Sequence, residues 1–180
     1  LRNGVRAVSD CLLHGAPSPI SLGRAGGRHF VLMAGFGFDA RVVGAVTPEY
    51  KKRHGKMAYV RKGLAEFMRP APVDFAVRST QRNTVGASVI VCNAKRYGGP
   101  FRLAPQADIH DPLLDVLVFR SRAKTAMLRY SLAVLGRVHH RFPDVEYWRT
   151  DRLDIVPQPR AEDEPVQVDG DLAAEPQPWT

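Results

Sequence analysis

Cysteine is almost missing from this chain. Cys11 and Cys92 are the only two, far apart and set in apolar segments. That excludes a disulfide framework and fits two thiols acting as small hydrophobes in a reducing compartment. No apolar run approaches the roughly 20 residues needed to cross a bilayer. The opening residues do not read as a signal peptide, and Leu1 is not a start methionine, so the chain reads as cut from something longer. No G-x-S-x-G elbow, H-E-x-x-H pair or Walker A loop occurs, which removes the commonest signatures of serine hydrolases, zinc proteases and P-loop enzymes. There is no internal repeat and no low-complexity tract. Acid is scarce in the first half: residues 1–100 carry 16 Lys+Arg against 5 Asp+Glu, a sum of +11, whereas residues 101–180 sum to −3. A basic half is drawn to phosphates, lipid headgroups or nucleic acid, and a GC-rich genome that writes arginine freely explains the excess equally well.

What remains is ordinary globular material: 180 residues, 44% hydrophobic and 24% charged, enough for one domain with a core. Val5, Val8, Cys11 and Leu12 fall at helical spacing within residues 3–14, and Gly15 ends the run. ISLGR and HFVLMA read as two strands joined by a turn at 25–27. GFGFDARVVGAV reads as a turn into a short helix, and the apolar spacing of Met57, Val60, Leu64 and Phe67 predicts a helix over 56–68. VDFAVRS and ASVIVCN read as a strand pair across the polar turn TQRNT. Residues 94–112 read as a long loop and LLDVLVF as a buried strand. SRAKTAMLRYSLAVLGRVHH reads as a helix with Ser121 as N-cap and basic residues in its last turn, where cations complement the dipole. VEYWRT, RLDIVP and PVQVDG read as closing strands. The order is strand-rich with scattered helices, an α+β pattern and not strict β-α-β alternation.

Four segments could carry chemistry. Gly35, Gly37 and Ala40 in HFVLMAGFGFDA fit G-x-G-x-x-A, but the acid-ended second strand of a dinucleotide fold does not follow, and a glycine-rich strand exit fits equally. KKRHGK with Arg61 and Lys62 could grip phosphate or an anionic membrane, or be a solvated helix start; Tyr50 and Tyr59 are too few for a nucleic-acid stacking platform. Asp108, His110 and Asp111 bunch in a loop before LLDVLVF, where carboxylates and backbone carbonyls suit magnesium, although an Asp-Pro turn explains them too. In VQVDGDLA, Asp169 and Asp171 flank Gly170. Asp-Gly after an alternating strand signals a hairpin, yet Asp171 follows the glycine and could take a proton from a hydroxyl.

The ordered set FVLMAGFGFDA, HGKMAYVRKGL, VCNAKRYGGPFRLAPQADIHDPLLDV and VQVDGD resembles the C-terminal domain of the bacterial diacylglycerol kinase-like lipid kinases, relatives of sphingosine kinase and more distantly of NAD kinase. The resemblance runs from about residue 1 to the end. It implies a predominantly antiparallel β-sandwich-like domain with a few helices over residues 16–180, short of a final strand. Residues 1–15 would be the last helix before it, arriving from an N-terminal ATP-binding domain whose G-G-D-G-T motif is not in this chain.

The resemblance implies an enzyme that moves the γ-phosphoryl of ATP to a lipid hydroxyl, in diacylglycerol-like or sphingoid acceptors, with this fragment inactive alone. Asp171, at the acid position of the family's D-G-E, would be the general base. It is one methylene shorter than glutamate. The Asp111 side chain, with the carbonyls of Asp108 and Leu113, would hold a structural magnesium, though Pro112 stands where the family has glycine. Asp169 would hold the hairpin or orient its neighbour, and Asn93, Tyr97, Gly98 and Gly99 would shape the cleft wall. The implied cofactors are magnesium and, as co-substrate, ATP. The implied partners are a lipid substrate, an anionic membrane surface and the chain's own N-terminal domain, with no nucleic acid. The implied place is the cytoplasm, at the inner face of the membrane, with the basic first half against headgroups. The rival readings are a non-catalytic lipid- or ligand-binding module and, on charge alone, a basic nucleic-acid-binding domain.

Overall fold

Alternation decides the sheet faces. In the computed structural model, which describes residues 2–47, 50, 52–53, 62–63, 65–66, 73–97, 101–159 and 164–173, the strands Met33–Gly37 (β3), Ser88–Cys92 (β6), Leu114–Phe119 (β9), Val145–Thr150 (β10), Val166–Val168 (β12) and Asp171–Ala173 (β13) form one antiparallel sheet in the order β10-β9-β6-β3-β12-β13. Asp74–Ser79 (β4), Asn83–Gly86 (β5) and Leu153–Gln158 (β11) form a second, in the order β11-β4-β5. Gly23–Ala25 (β1) with Arg28–Phe30 (β2), and Arg96–Tyr97 (β7) with Phe101–Arg102 (β8), are two small hairpins. The helices are Arg2–His14 (α1), Phe38–Ala45 (α2) and Lys124–Leu135 (α3).

The large sheet has two buried faces. One lays Ala34, Phe36, Val89, Val91, Val116, Val118, Val166 and Val168 against Phe75, Val77, Leu153 and Ile155 of the small sheet. That makes an α+β, sandwich-like domain. The other face carries Ile90, Leu117 and Phe119 beneath α3 and the segment Leu103–Ala107. With period-2 strands, a one-residue register slip would exchange these two sets.

Three sequence expectations need correction. VDFAVRS pairs not with ASVIVCN but with NTVG, across a turn at 80–82. At Gly86 the chain then changes sheets, because a Cβ there would clash with Val118, and only glycine lets the chain pass that close. β6 is thereby delivered between β3 and β9. The loop over 94–112 contains the β7-β8 hairpin. α3 starts at Lys124 with Ala123 as N-cap, and Ser121 instead accepts the Ala123 N–H at 3.2 Å.

α3 also ends sooner than its sequence suggests. Arg137 takes the left-handed conformation (φ 59°), and Val138 N–H reaches back to the Ala133 carbonyl at 2.9 Å, a helix-closing geometry. His139 is therefore not a cation at the helix end. It is buried, bonded to the Leu103 carbonyl at 2.7 Å, and burial pushes its pKa down. Of the helix expected over 56–68, only residues 62–63 and 65–66 are among the described ones, and all four are helical. α1 forms as expected, and its Val5, Val8 and Leu12 are exposed. Among the described residues no helix is long and apolar enough to cross a membrane.

Candidate functional site

The strand-to-helix turn GFGFDA does something its glycine spacing hides. β3 runs straight into α2 at Gly37, whose positive φ (82°) makes the corner, and a Cβ there would lie 2.6 Å from the Ala87 carbonyl oxygen. Asp39 lands in the first turn of α2, where a carboxylate is favoured by the helix dipole. Its side chain folds back over Gly35, where a Cβ would clash with Asp39 Oδ2. The two glycines thus make room for a carboxylate and not for a pyrophosphate.

Asp39 is 6% exposed and fully surrounded. Gln167 Nε2 donates to its Oδ2 at 2.7 Å, and the Tyr97 hydroxyl donates to its Oδ1. Burial pushes its pKa up to about 7, against the smaller opposing pull of the Gln167 hydrogen bond. A carboxylic acid with that value is divided between its two protonation states near neutrality, which suits an acid or base working at physiological pH.

Asp39 and Tyr97 are the polar end of a cavity of about 290 Å³ between the large sheet and α3. Ile90, Leu103, Phe119, Met127 and Val134 make its walls apolar. The lining also includes Ser131 and Leu135, which are exposed, so the cavity opens along α3. A concave apolar site with a few convergent polar groups and one perturbed carboxyl is the usual anatomy of a small-molecule site.

Sequence reasoning quoted the Asp39 segment but did not single out Asp39. The available signal was an aspartate inside an otherwise apolar stretch, immediately after G-x-G and at the start of a helix. Tyr97, in contrast, was singled out for the cleft wall, and it lines this cavity. Gly98 and Gly99 lie outside the described residues.

The other predicted residues fall in three places. Asp169 takes the left-handed conformation (φ 51°) beside Gly170 (φ 91°) at the tip of the β12-β13 hairpin. Its carboxylate accepts the backbone N–H groups of Val31, Leu32 and Met33 at 2.7, 2.8 and 2.9 Å. Asn93 secures the same loop from the other side, donating to the carbonyls of Val31 at 3.0 Å and Ser21 at 2.9 Å. Asp169 and Asn93 are thus brought together around residues 31–33.

Asp171 stands exposed on the edge strand β13, opposite Val168. Leu172 points toward Gly44 of α2, on the cavity side, so Asp171 and Ala173 point to the sandwich side. Asp111 precedes β9, four strands away in the sheet order, or roughly 19 Å at the usual strand spacing. The structure does not bring Asp171 together with Asp111 or with the cavity.

Two of the three groups expected to hold a structural magnesium, the Asp111 side chain and the Asp108 carbonyl, are otherwise engaged. Asp111 Oδ1 accepts the Leu113 N–H at 2.9 Å, and Asp111 Oδ2 is paired with Arg149. The Asp108 carbonyl accepts the Asp111 N–H at 3.1 Å. Arg149 also reaches Asp115 Oδ2 at 3.2 Å, a wholly buried carboxylate that further accepts the Tyr147 hydroxyl. The Arg149 guanidinium, helped by the Leu113 N–H, holds the Asp111 carboxyl below its usual range, while burial lifts that of Asp115. A divalent ion at Asp111 would lie against the guanidinium, so this donor set does not fit a cation. Among the described residues no three His, Cys, Asp or Glu side chains converge on a metal position.

Comparison with known proteins agrees with the fold. The family described as YegS C-terminal NAD kinase beta sandwich-like domain matches residues 33–179. A probable lipid kinase YegS-like protein of Shewanella frigidimarina is 28% identical over 181 residues, covering 99% of this chain and 56% of that protein. A second, from Pseudomonas putida, is 32% identical over 166 residues, 90% of this chain and 55% of that protein. The crystal structure of a putative diacylglycerol kinase from Bacillus anthracis superposes with a TM-score of 0.65 at 20% identity, covering 90% of this chain and 52% of that one, which shows a shared fold. This chain spans about half the length of the curated relatives it matches.

Proposed function

Since this chain belongs to the YegS C-terminal NAD kinase beta sandwich-like domain family, and aligns over nearly its whole length with about half of each probable lipid kinase relative, we propose that it is the acceptor side of an ATP-dependent lipid kinase. The observation that carries the reading is the apolar cavity ending on a buried carboxyl at Asp39. An acyl or sphingoid chain would fill the cavity and set its hydroxyl against Asp39. Asp39 would take the proton as the hydroxyl oxygen bonds to the γ-phosphorus, while the bond to the β,γ-bridging oxygen breaks and ADP leaves. Tyr97 and Gln167 would hold the carboxyl in place through the transfer.

The nucleotide would be brought by a separate ATP-binding half of the parent protein. Magnesium enters this reading only as the counter-ion of that nucleotide, offsetting charge on the phosphates. α1, with Val5, Val8 and Leu12 exposed, is assigned to the junction between the halves. The family resemblance gives the proton to Asp171. We place the transfer at Asp39, because Asp39 faces the cavity and is tuned toward neutrality, and Asp171 is the alternative.

Paired variants of the full-length protein separate the two. With ATP and a lipid extract, Asp39→Asn is expected to lower turnover ~10²-fold or more with the fold intact, and Asp171→Asn to leave it within a few-fold. The reverse pattern moves the proton to Asp171. Absence of ATP-dependent phosphate transfer to any lipid removes the kinase reading, leaving a lipid-binding module.

A further inference from the structure

α3 buries one side and leaves the opposite side greasy. Ala126, Tyr130 and Ala133 face the sheet, whereas Leu128, Leu132 and Leu135 are 52, 59 and 59% exposed. Their i, i+4, i+7 spacing aligns them in one stripe. Isolated exposed leucines need no explanation, but a stripe of three along one helix does. The stripe also borders the cavity, since Leu135 belongs to both.

The charge around the stripe has one sign. Residues 116–143 contain six Arg or Lys and no Asp or Glu. Arg122 is paired with Asp74 and Arg129 with Asp144, but Lys124 and Arg137, at the two ends of the stripe, are exposed. The neighbouring β7-β8 hairpin adds Arg96 and Arg102, both exposed and opposite one another, with Phe101 beside Arg102 lining the cavity. An exposed leucine stripe with cations at both ends and on the neighbouring hairpin has the makings of a membrane-surface element: leucines for the acyl boundary and cations for the headgroups. An anionic bilayer complements both features at once, over the whole width of the face.

We propose that the outer face of α3, flanked by Lys124, Arg137 and the β7-β8 hairpin, docks on an anionic membrane and sets the open side of the cavity against the leaflet. The docking stands on α3 alone. The further step, in which the acceptor lipid moves from the leaflet past Leu135 and Ser131 to Asp39, rests on the kinase reading. Apart from Arg96, the interfacial cations are thus placed in the second half of the chain, although the first half carries the larger excess of basic residues.

The test is vesicle co-sedimentation of the full-length protein, without ATP, on phosphatidylcholine vesicles with and without phosphatidylglycerol. The wild type is expected to bind the anionic vesicles and not the neutral ones. Leu128→Gln/Leu132→Gln is expected to weaken binding about tenfold or more, and Lys124→Glu/Arg137→Glu likewise, with binding restored in neither case by dropping the salt to wild-type levels. Neither pair lines the cavity, so phosphate transfer to a short-chain, water-soluble acceptor should stay within a few-fold of wild type. Unchanged vesicle binding in both double variants overturns the docking face. So does failure of a thiol reagent to label Leu128→Cys or Leu132→Cys in the full-length protein before vesicles are added, because a second copy or another part of the protein would then cover the face. Vesicle binding that depends on α3 in a protein that phosphorylates no lipid leaves the docking face standing and removes only the kinase reading.

Discussion

Gln167 Nε2 lies 2.7 Å from Asp39 Oδ2, a hydrogen bond between the strand before the D-G-D turn and the helix after G-F-G. Two sequence motifs 128 residues apart therefore meet in one buried polar pair. Gly170 N–H donates to the other end of the same amide, to Oε1 at 2.8 Å, so the turn itself orients Gln167.

The raised pKa of Asp39 is also a statement about stability. The folded protein holds this proton up to about pH 7, whereas the unfolded chain releases it at the ordinary value of 3.8. Folding therefore takes up a proton between those limits. The stabilisation is whole below pH ~4, declines as pH rises toward about 7, and is lost above it. Asp39→Asn cannot titrate, so the stability of wild type relative to the variant should fall across that window, by a few kcal/mol at about 1.4 kcal/mol per pKa unit. Urea titrations of both proteins at a series of pH values check it. A constant difference would mean that Asp39 is not buried as described. Turnover, which needs the ionised form, should rise through the same window.

Gly35→Ala should damage the site without touching a polar atom. The new methyl would clash with Asp39 Oδ2 and sit 2.7 Å from Gln167 Nε2, between two elements held by the sheet. Overpacking of this kind costs roughly 1–3 kcal/mol. The displaced carboxyl should also lower binding of a fluorescent acyl-chain probe. Gly44→Ala is the control, since its Cβ would meet only the flexible Leu172 side chain, at 3.3 Å. Equal effects from both variants would show that the space over Gly35 is not reserved for Asp39.

The sheet was legible in the sequence wherever burial alternates. β3, β6 and β9 stand out as apolar runs, because a strand covered on both faces has no polar side to show. β4 was visible too, but its partner was not. NTVG is short and mostly exposed, so pairing was assigned to the next strong run, ASVIVCN, which belongs to the other sheet. Asp39 was hidden by the glycines around it, which read as a phosphate-binding turn until the structure shows what the missing Cβ atoms leave room for. Arg149 was hidden for another reason: its partners, Asp111 and Asp115, lie 38 and 34 residues earlier, and only the β9-β10 register sets Arg149 opposite Asp115.

The two carboxylates of D-G-D should behave oppositely on removal of charge. Asp169 accepts three backbone N–H groups as an anion. Hydrogen bonds to a charged acceptor contribute about 1.5–3 kcal/mol each, and an amide can replace only part of that. Asp169→Asn should therefore cost ~2–3 kcal/mol and loosen residues 31–33. Asp171 is exposed, so Asp171→Asn should change stability by no more than ~0.5 kcal/mol. Chemical denaturation with hydrogen exchange at Val31 and Leu32 reads both effects. Loss of stability in Asp171→Asn alone would reverse the assignment of the turn-holding acid.

Arg149 should do for Asp111 and Asp115 what a bound cation does elsewhere. Its guanidinium spans an exposed-side carboxylate and one with no solvent contact at all. Removing it leaves Asp115 buried with only the Tyr147 hydroxyl as partner, and breaking a buried pair from one side costs about 3–5 kcal/mol. Arg149→Met is thus expected to be strongly destabilised, and Arg149→Lys only partly repaired, because an ammonium cannot reach both carboxylates with a planar fork. The melting temperature of the wild type should be the same with magnesium or with chelator. A rise of several degrees on adding magnesium to the wild type would show that a cation enters beside Arg149 after all, and a rise confined to Arg149→Met would show that the guanidinium is what keeps it out.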